Sequence, residues 1–153
     1  MWRRLVAFMR VDGVIPGRLK PQLRPAPAMP LPETAFRGPN PGNLRMFSYL
    51  PARLKGGAPL VVVLHGCAQT AAGYASGAGW LQLADKLGFA VLAPEQKALN
   101  NPNTCFDWFN PEDVTRGQGE AASIAGMIGQ MLESHGLDPA RVFISGLSAG
   151  GAM

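Results

Sequence analysis

The chain predicts an α/β fold: a mostly parallel sheet with helices on both faces. Three observations carry this reading. "PLVVVLHG" and "FAVLAP" are short, almost unbroken apolar runs, the pattern of strands buried on both sides. Segments with helical spacing of apolar residues follow each of them. A third β-branched run, "RVFIS", comes after the second helical segment. A strand–helix–strand–helix–strand series of this kind closes through right-handed crossovers, which put successive helices on opposite faces.

Taken in order, the elements begin with "NLRMFSYLP", where Leu44 and Met46 alternate with Phe47 and Tyr49, the spacing of a strand. After "PLVVVLHG", the stretch "TAAGYASGAGWLQLADKLG" reads as a helix through Trp80, Leu81, Leu83 and Leu87, with Gly88 as its stop. "FAVLAP" is the next strand. The long polar segment "EQKALNNPNTCFDWFNPEDVTRG" reads as a loop, and loops of that length are usually functional or locally packed. Ile124, Met127, Ile128 and Met131 mark an amphipathic helix in "QGEAASIAGMIGQMLESHG", before the last strand. Residues 44–153 are thus assigned to one α/β domain.

Residues 1–43 read differently. Residues 1–55 carry ten Lys and Arg against Asp12 and Glu33, whereas the remainder carries four against eight. The stretch "RLKPQLRPAPAMPLPE" is rich in proline, which favours an extended, solvated, flexible leader over a packed element. It lacks the interleaved aromatics of a nucleic-acid arm and the periodicity of a membrane-surface helix, so neither partner is expected. No apolar run reaches the roughly 18 residues of a membrane span. Leu5 to Met9 is too short for the core of a signal peptide, so no clear export signal is present. With two cysteines, two histidines and no C-x-x-C pattern, neither a metal site nor a cofactor is expected.

In a parallel sheet the chemistry gathers at the carboxyl ends of the strands, beside a switch in strand order. Those ends carry His65-Gly66-Cys67, Pro94-Glu95 and Gly146-Leu147-Ser148. Gly146-Leu147-Ser148-Ala149-Gly150 is a G-x-S-x-G string, weak alone but here set between a strand and a small-residue helix start. That is the setting of a nucleophile elbow, in which glycines two before and two after the serine let strand and helix approach. Ser148 is the candidate nucleophile. In such architecture one oxyanion N–H follows the serine and the other lies in the loop after the third strand, positions that Ala149 and Cys67 fit through their backbones. His65 reads as a shaper of that loop rather than a base, because the base of this architecture follows the serine.

"LHGCAQTAAGYA", "APEQ", "CFDWFNPEDVTRGQGEAASI" and "RVFISGLSAGGAM" together resemble the polyhydroxybutyrate-depolymerase-type esterases of the α/β-hydrolase superfamily, a group that includes feruloyl and acetylxylan esterases. The resemblance spans about residues 45–153, with four motifs in the family's order. It implies a serine carboxylic-ester hydrolase working through an acyl-serine intermediate on an ester substrate, polymeric or from plant cell wall. It also implies Ser148 as nucleophile, Cys67 and Ala149 at the oxyanion hole, Trp108 near the site, and an extracellular or periplasmic location.

The acidic triad member and the catalytic histidine should follow Ser148, yet the sequence ends at Met153. The expectation is the N-terminal portion of a catalytic domain, truncated after the elbow, inactive in isolation and with an exposed sheet edge. Two other readings stand beside it: another α/β hydrolase of dienelactone-hydrolase-like or peptidase-like type, and a non-catalytic binding or scaffold protein. Cys67 and Cys105 allow one disulfide or two buried thiols, and the residues favour neither. Arg116 and Glu120, four apart at a helix start, are spaced to allow a pair, with structural anchoring favoured over a substrate role. Trp108 and Phe109 serve equally well as an apolar wall for substrate or as a loop anchor.

Overall fold

The computed structural model describes residues 29–153, so the basic stretch of the expected leader up to residue 28 lies outside the described residues. Four strands, β1 (Arg45–Tyr49), β2 (Leu60–Leu64), β3 (Ala90–Glu95) and β4 (Val142–Gly146), form one sheet in the order β1-β3-β2-β4. β2 runs parallel to both β3 and β4, and β1 is antiparallel to β3 at the edge. The helices are α1 (Ala71–Gly77), α2 (Trp80–Leu87), α3 (Pro111–Val114), α4 (Gly119–His135) and α5 (Ala149–Ala152).

The unbroken apolar run of β2 has a simple cause. Its side chains alternate between two cores: Leu60, Val62 and Leu64 pack with Ile124, Met127 and Met131 of α4. Val61 and Val63 pack with Ala71, Ala75, Leu81 and Ala84 of α1 and α2. All five are buried, and each such side chain contributes about 1.5–3 kcal/mol of transfer free energy. The chain passes from β2 to β3 over one face, then over the other face to β4 on the far side of β2. That reversal places the carboxyl ends of β2, β3 and β4 on one rim, beside a topological switch point.

Two expectations about elements are corrected. The segment read as one helix is two, because Gly79 takes a left-handed conformation (φ 80°) and reorients the chain before Trp80. Residues 31–43, assigned to a solvated leader, are extended but packed. Thr34 N–H donates to Met46 O at 2.8 Å and Ser48 N–H donates to Pro32 O at 3.3 Å, so the proline-stiffened strand-like segment covers the free side of β1. Leu31 joins the α1/α2 core, and Gly42 N–H reaches Ser123 Oγ at 2.9 Å.

β4 pairs only with β2 among the described residues, and Phe143 and Ile144 are 57% and 61% exposed. No helix among the described residues is long and apolar enough to cross a membrane.

Candidate active site

Ser148 stands between β4 and α5 with φ 52° and ψ −117°, a conformation that L-residues rarely adopt. The strain is held by what surrounds it. Leu147 N–H donates to Leu64 O at 3.0 Å, carrying the β2–β4 ladder one step past the strand. Ser148 O accepts from Gly151 and Ala152 N–H at 2.9 and 3.0 Å, starting the helix. A Cβ on Gly146 would lie 2.1 Å from Gly150 O and one on Gly150 2.3 Å from Leu64 O, so both glycines are sterically required. Ser148 is exposed, whereas Ala149 and Gly150 beside it are buried.

The turn after β2 faces this elbow. A Cβ built on Gly66 would lie 3.3 Å from Leu147 O and 3.5 Å from Ser148 Cβ, so the Gly66–Cys67 backbone passes directly against the serine. Gly66 N–H donates to Gln69 Oε1 at 2.8 Å, and Ala68 N–H, from a residue at φ 58°, donates to Asn103 O at 2.8 Å. The N–H groups of Cys67 and Ala149, in contrast, find no acceptor among the described residues. Two unspent amide donors thus flank the serine.

His65 is fully buried, and both ring nitrogens are occupied. Nδ1 lies 2.8 Å from Gly66 O, and Nε2 accepts from Gln96 N–H at 3.1 Å. An accepting Nε2 makes Nδ1 the protonated nitrogen of a neutral ring. Burial lowers its pKa, which keeps it neutral. Phe106 packs on the ring at 4.8 Å between centroids. The ring therefore braces the turn and has no free nitrogen to offer Ser148. His135 ends α4, next to Gly136 whose carbonyl accepts from Gly57 N–H ahead of β2; that is the opposite rim of the sheet.

Cys67 and Cys105 are joined as a disulfide, which ties the turn to the long loop. Cys67 is exposed and Cys105 is half-buried. On that loop Trp108 and Phe109 pack edge to face at 5.7 Å, and both are substantially exposed.

The Arg116–Glu120 pair that the spacing allows does not form. Glu120 is buried and points inward, accepting from Gln96 Nε2 through one oxygen and from Asp107 N–H (3.0 Å) through the other. Burial, with smaller contributions from the charges of Asp107 and Asp113, pushes its pKa up to about 7. The carboxylates of Asp107, Asp113 and Glu120 come within 4.8 Å of one another. They are already committed: Asp107 accepts from Asn101 Nδ2, and Asp113 from Asn110 Nδ2 and Glu120 N–H. Glu95, also buried, accepts from Arg45 at 2.6 Å and from Ala71 N–H at 2.8 Å, where it caps α1. The sequence places Glu95 at a strand's carboxyl end and Gln96 in the motif "APEQ", but nothing in the residues marks either as buried or assigns it a role.

A family model described as esterase PHB depolymerase matches residues 45–153. The chain belongs to this family. The family assignment sets aside the dienelactone-hydrolase-like and peptidase-like alternatives. Poly(3-hydroxyalkanoate) depolymerase C of Paucimonas lemoignei is 53% identical over 116 residues, covering 76% of this chain and 28% of that protein. Feruloyl esterase B of Thermothelomyces thermophilus is 36% identical over 127 residues, covering 82% of this chain and 43% of that one. Among solved structures, an acetyl xylan esterase from Aspergillus awamori superposes with a TM-score of 0.72 at 31% identity, over 80% of this chain and 44% of that one. This PHB depolymerase family chain thus has the α/β-hydrolase fold in part, and it spans less than half the length of these relatives.

Proposed function

We propose that these residues form the nucleophile and oxyanion half of a serine carboxylic-ester hydrolase. Ser148 Oγ attacks the ester carbonyl carbon and gives its proton to a base. The carbonyl oxygen takes the negative charge and is met by the Cys67 and Ala149 N–H groups. Collapse expels the alcohol, which takes up the proton, and leaves an acyl-serine that water hydrolyses. An oxyanion donor of this kind is worth about 3–4 kcal/mol in the transition state. The observation that supports the reading most is the strained, exposed Ser148 held against a turn whose Cys67 N–H is unspent.

The base is not His65, whose nitrogens are engaged, nor His135, on the far rim. Neither histidine therefore serves Ser148, and the 153-residue chain by itself is expected not to turn over ester. The relatives' names, a polyhydroxyalkanoate depolymerase and feruloyl and acetylxylan esterases, support an acyl ester as substrate, polymeric or from plant cell wall. Trp108 and Phe109 offer it an exposed apolar wall. A disulfide beside the nucleophile suits an oxidising compartment, extracellular or periplasmic.

A chimera tests the reading. Residues 45–153 replace the matching segment of the Paucimonas lemoignei depolymerase, whose remaining chain supplies the other half of the fold. The chimera is expected to release p-nitrophenol from p-nitrophenyl butyrate, and S148A to lower kcat by about 10⁴-fold or more. Undiminished turnover by S148A would falsify the assignment.

A further inference from the structure

The oxyanion turn and the aromatic loop meet at one buried side chain that belongs to neither. Gln96 is the first residue after β3 and is 2% exposed. Its backbone N–H and both ends of its side-chain amide are engaged. Its backbone N–H donates to His65 Nε2 at 3.1 Å, and His65 in turn holds Gly66 O. Its side-chain Nε2 donates to Cys105 O at 3.1 Å and to Glu120 Oε1. Its Oε1 accepts from Lys97 N–H at 2.9 Å and from Asn100 Nδ2 at 2.6 Å.

This arrangement fixes the amide in one orientation, because the flipped form would set its carbonyl against Cys105 O and the Glu120 carboxylate. Glu120 completes the frame through Asp107 N–H, one residue before Trp108. The Cys67–Cys105 disulfide and the bond from Ala68 N–H to Asn103 O join the two loops directly. The Gln96–Glu120 pair adds buried attachments at His65, Cys105 and Asp107, which fix how the loops are turned about those links.

We propose that Gln96 is a positioning residue, which with Glu120 as its buried anchor locks the Gly66–Cys67 turn and the Cys105–Phe109 loop in one fixed orientation about Ser148. The proposal rests on the reading of Ser148 and Cys67 given above, and it names the residues that aim that site without touching substrate. A glutamate at 96 keeps the shape but removes both donors and faces Glu120 with a second carboxylate. Exchanging the pair, as Q96E/E120Q, restores a donor between the two positions and leaves an amide oxygen for Asp107 N–H.

Amide hydrogen exchange on the 153-residue chain tests this without ester turnover. Q96E is expected to speed exchange at Ala68 and Asp107 at least tenfold, with Val62 and Leu92 in the sheet staying within twofold. Q96E/E120Q is expected to return Asp107 to within threefold of the wild type. Unchanged rates at Ala68 and Asp107, equal acceleration at all four amides, or no recovery in the exchanged pair each overturn the proposal. If Q96E does not fold, E120Q alone decides: tenfold faster exchange at Asp107 with a quiet sheet supports the lock, and no change at Asp107 overturns it. Failure of the chimera to depend on Ser148 sinks the hydrolase reading alone, and the exchange pattern stands or falls separately.

Discussion

The Cβ that Gly150 lacks would stand 2.3 Å from the carbonyl oxygen of Leu64, closer than real Cβ atoms approach any such atom. The helix after Ser148 is therefore pressed onto the end of β2, and the elbow exists only because residue 150 has no side chain. G150A is expected to destabilise the chain by about 2 kcal/mol or more, since the contact is with backbone that cannot swing aside. G129A is the control: Gly129 lies exposed in α4 with nothing within 4 Å, and alanine there is expected to stabilise by about 0.5–1 kcal/mol. Urea denaturation of both variants checks the contrast.

Ser148 itself carries strain. At φ 52° and ψ −117° a glycine is at ease and a serine is not. S148G is expected to be about 1–2 kcal/mol more stable than the wild type, while S148A stays within about 0.5 kcal/mol of it. A serine selected for folding alone would show no such gain. Equal stability of S148G and S148A would remove the claim of strain.

The disulfide closes a sequence separation of 38 residues between Cys67 and Cys105. In the chain-entropy account, a loop of that size is worth about 4 kcal/mol. The C67A/C105A double variant is expected to lose stability of that order. It should also lose protection at Ala68, whose N–H is held by Asn103 two residues before Cys105. Denaturation of the variant beside the oxidised wild type gives the difference.

Glu120 gives stability a pH dependence of determined sign. Burial raises its pKa from 4.5 to about 7 in the fold, so between those values the native state holds a proton that the unfolded chain releases. Stability then falls as pH rises from about 5 to 7, by at most about 1.4 kcal/mol per pH unit. His65 acts in the opposite sense. Its folded pKa is lowered, so its contribution is lost as pH falls below 6.5. Subtracting the E120Q profile from the wild-type profile cancels His65 and isolates Glu120. A flat difference across pH 5–7 contradicts the assignment.

The sheet was legible because burial leaves a simple trace in it. β2 and β3 are apolar throughout since both their faces are covered, and the G-x-S-x-G spacing reports a steric demand on Gly146 and Gly150 that their backbone contacts display. The interruption at Gly79 was not legible, because the apolar spacing continues across it and only a positive φ marks the break. The packing of residues 31–43 was hidden for a related reason. Proline-rich composition reports extension, and an extended segment beside a free strand edge pairs with it. The inward turn of Glu120 was not legible, because helical spacing to Arg116 looks the same whether the carboxylate faces solvent or turns inward to Gln96. The disulfide depended on the approach of two distant loops, which a spacing of 38 residues does not encode.

The most direct measurement is the site of acylation. The chimera carrying residues 45–153 is treated with a fluorophosphonate probe, digested, and its peptides mapped by mass spectrometry. One adduct on Ser148, lost in S148A and slowed when the ester substrate is present, is the expected result. An adduct on any other residue of a hydrolytically active chimera, with Ser148 unmodified, contradicts the account.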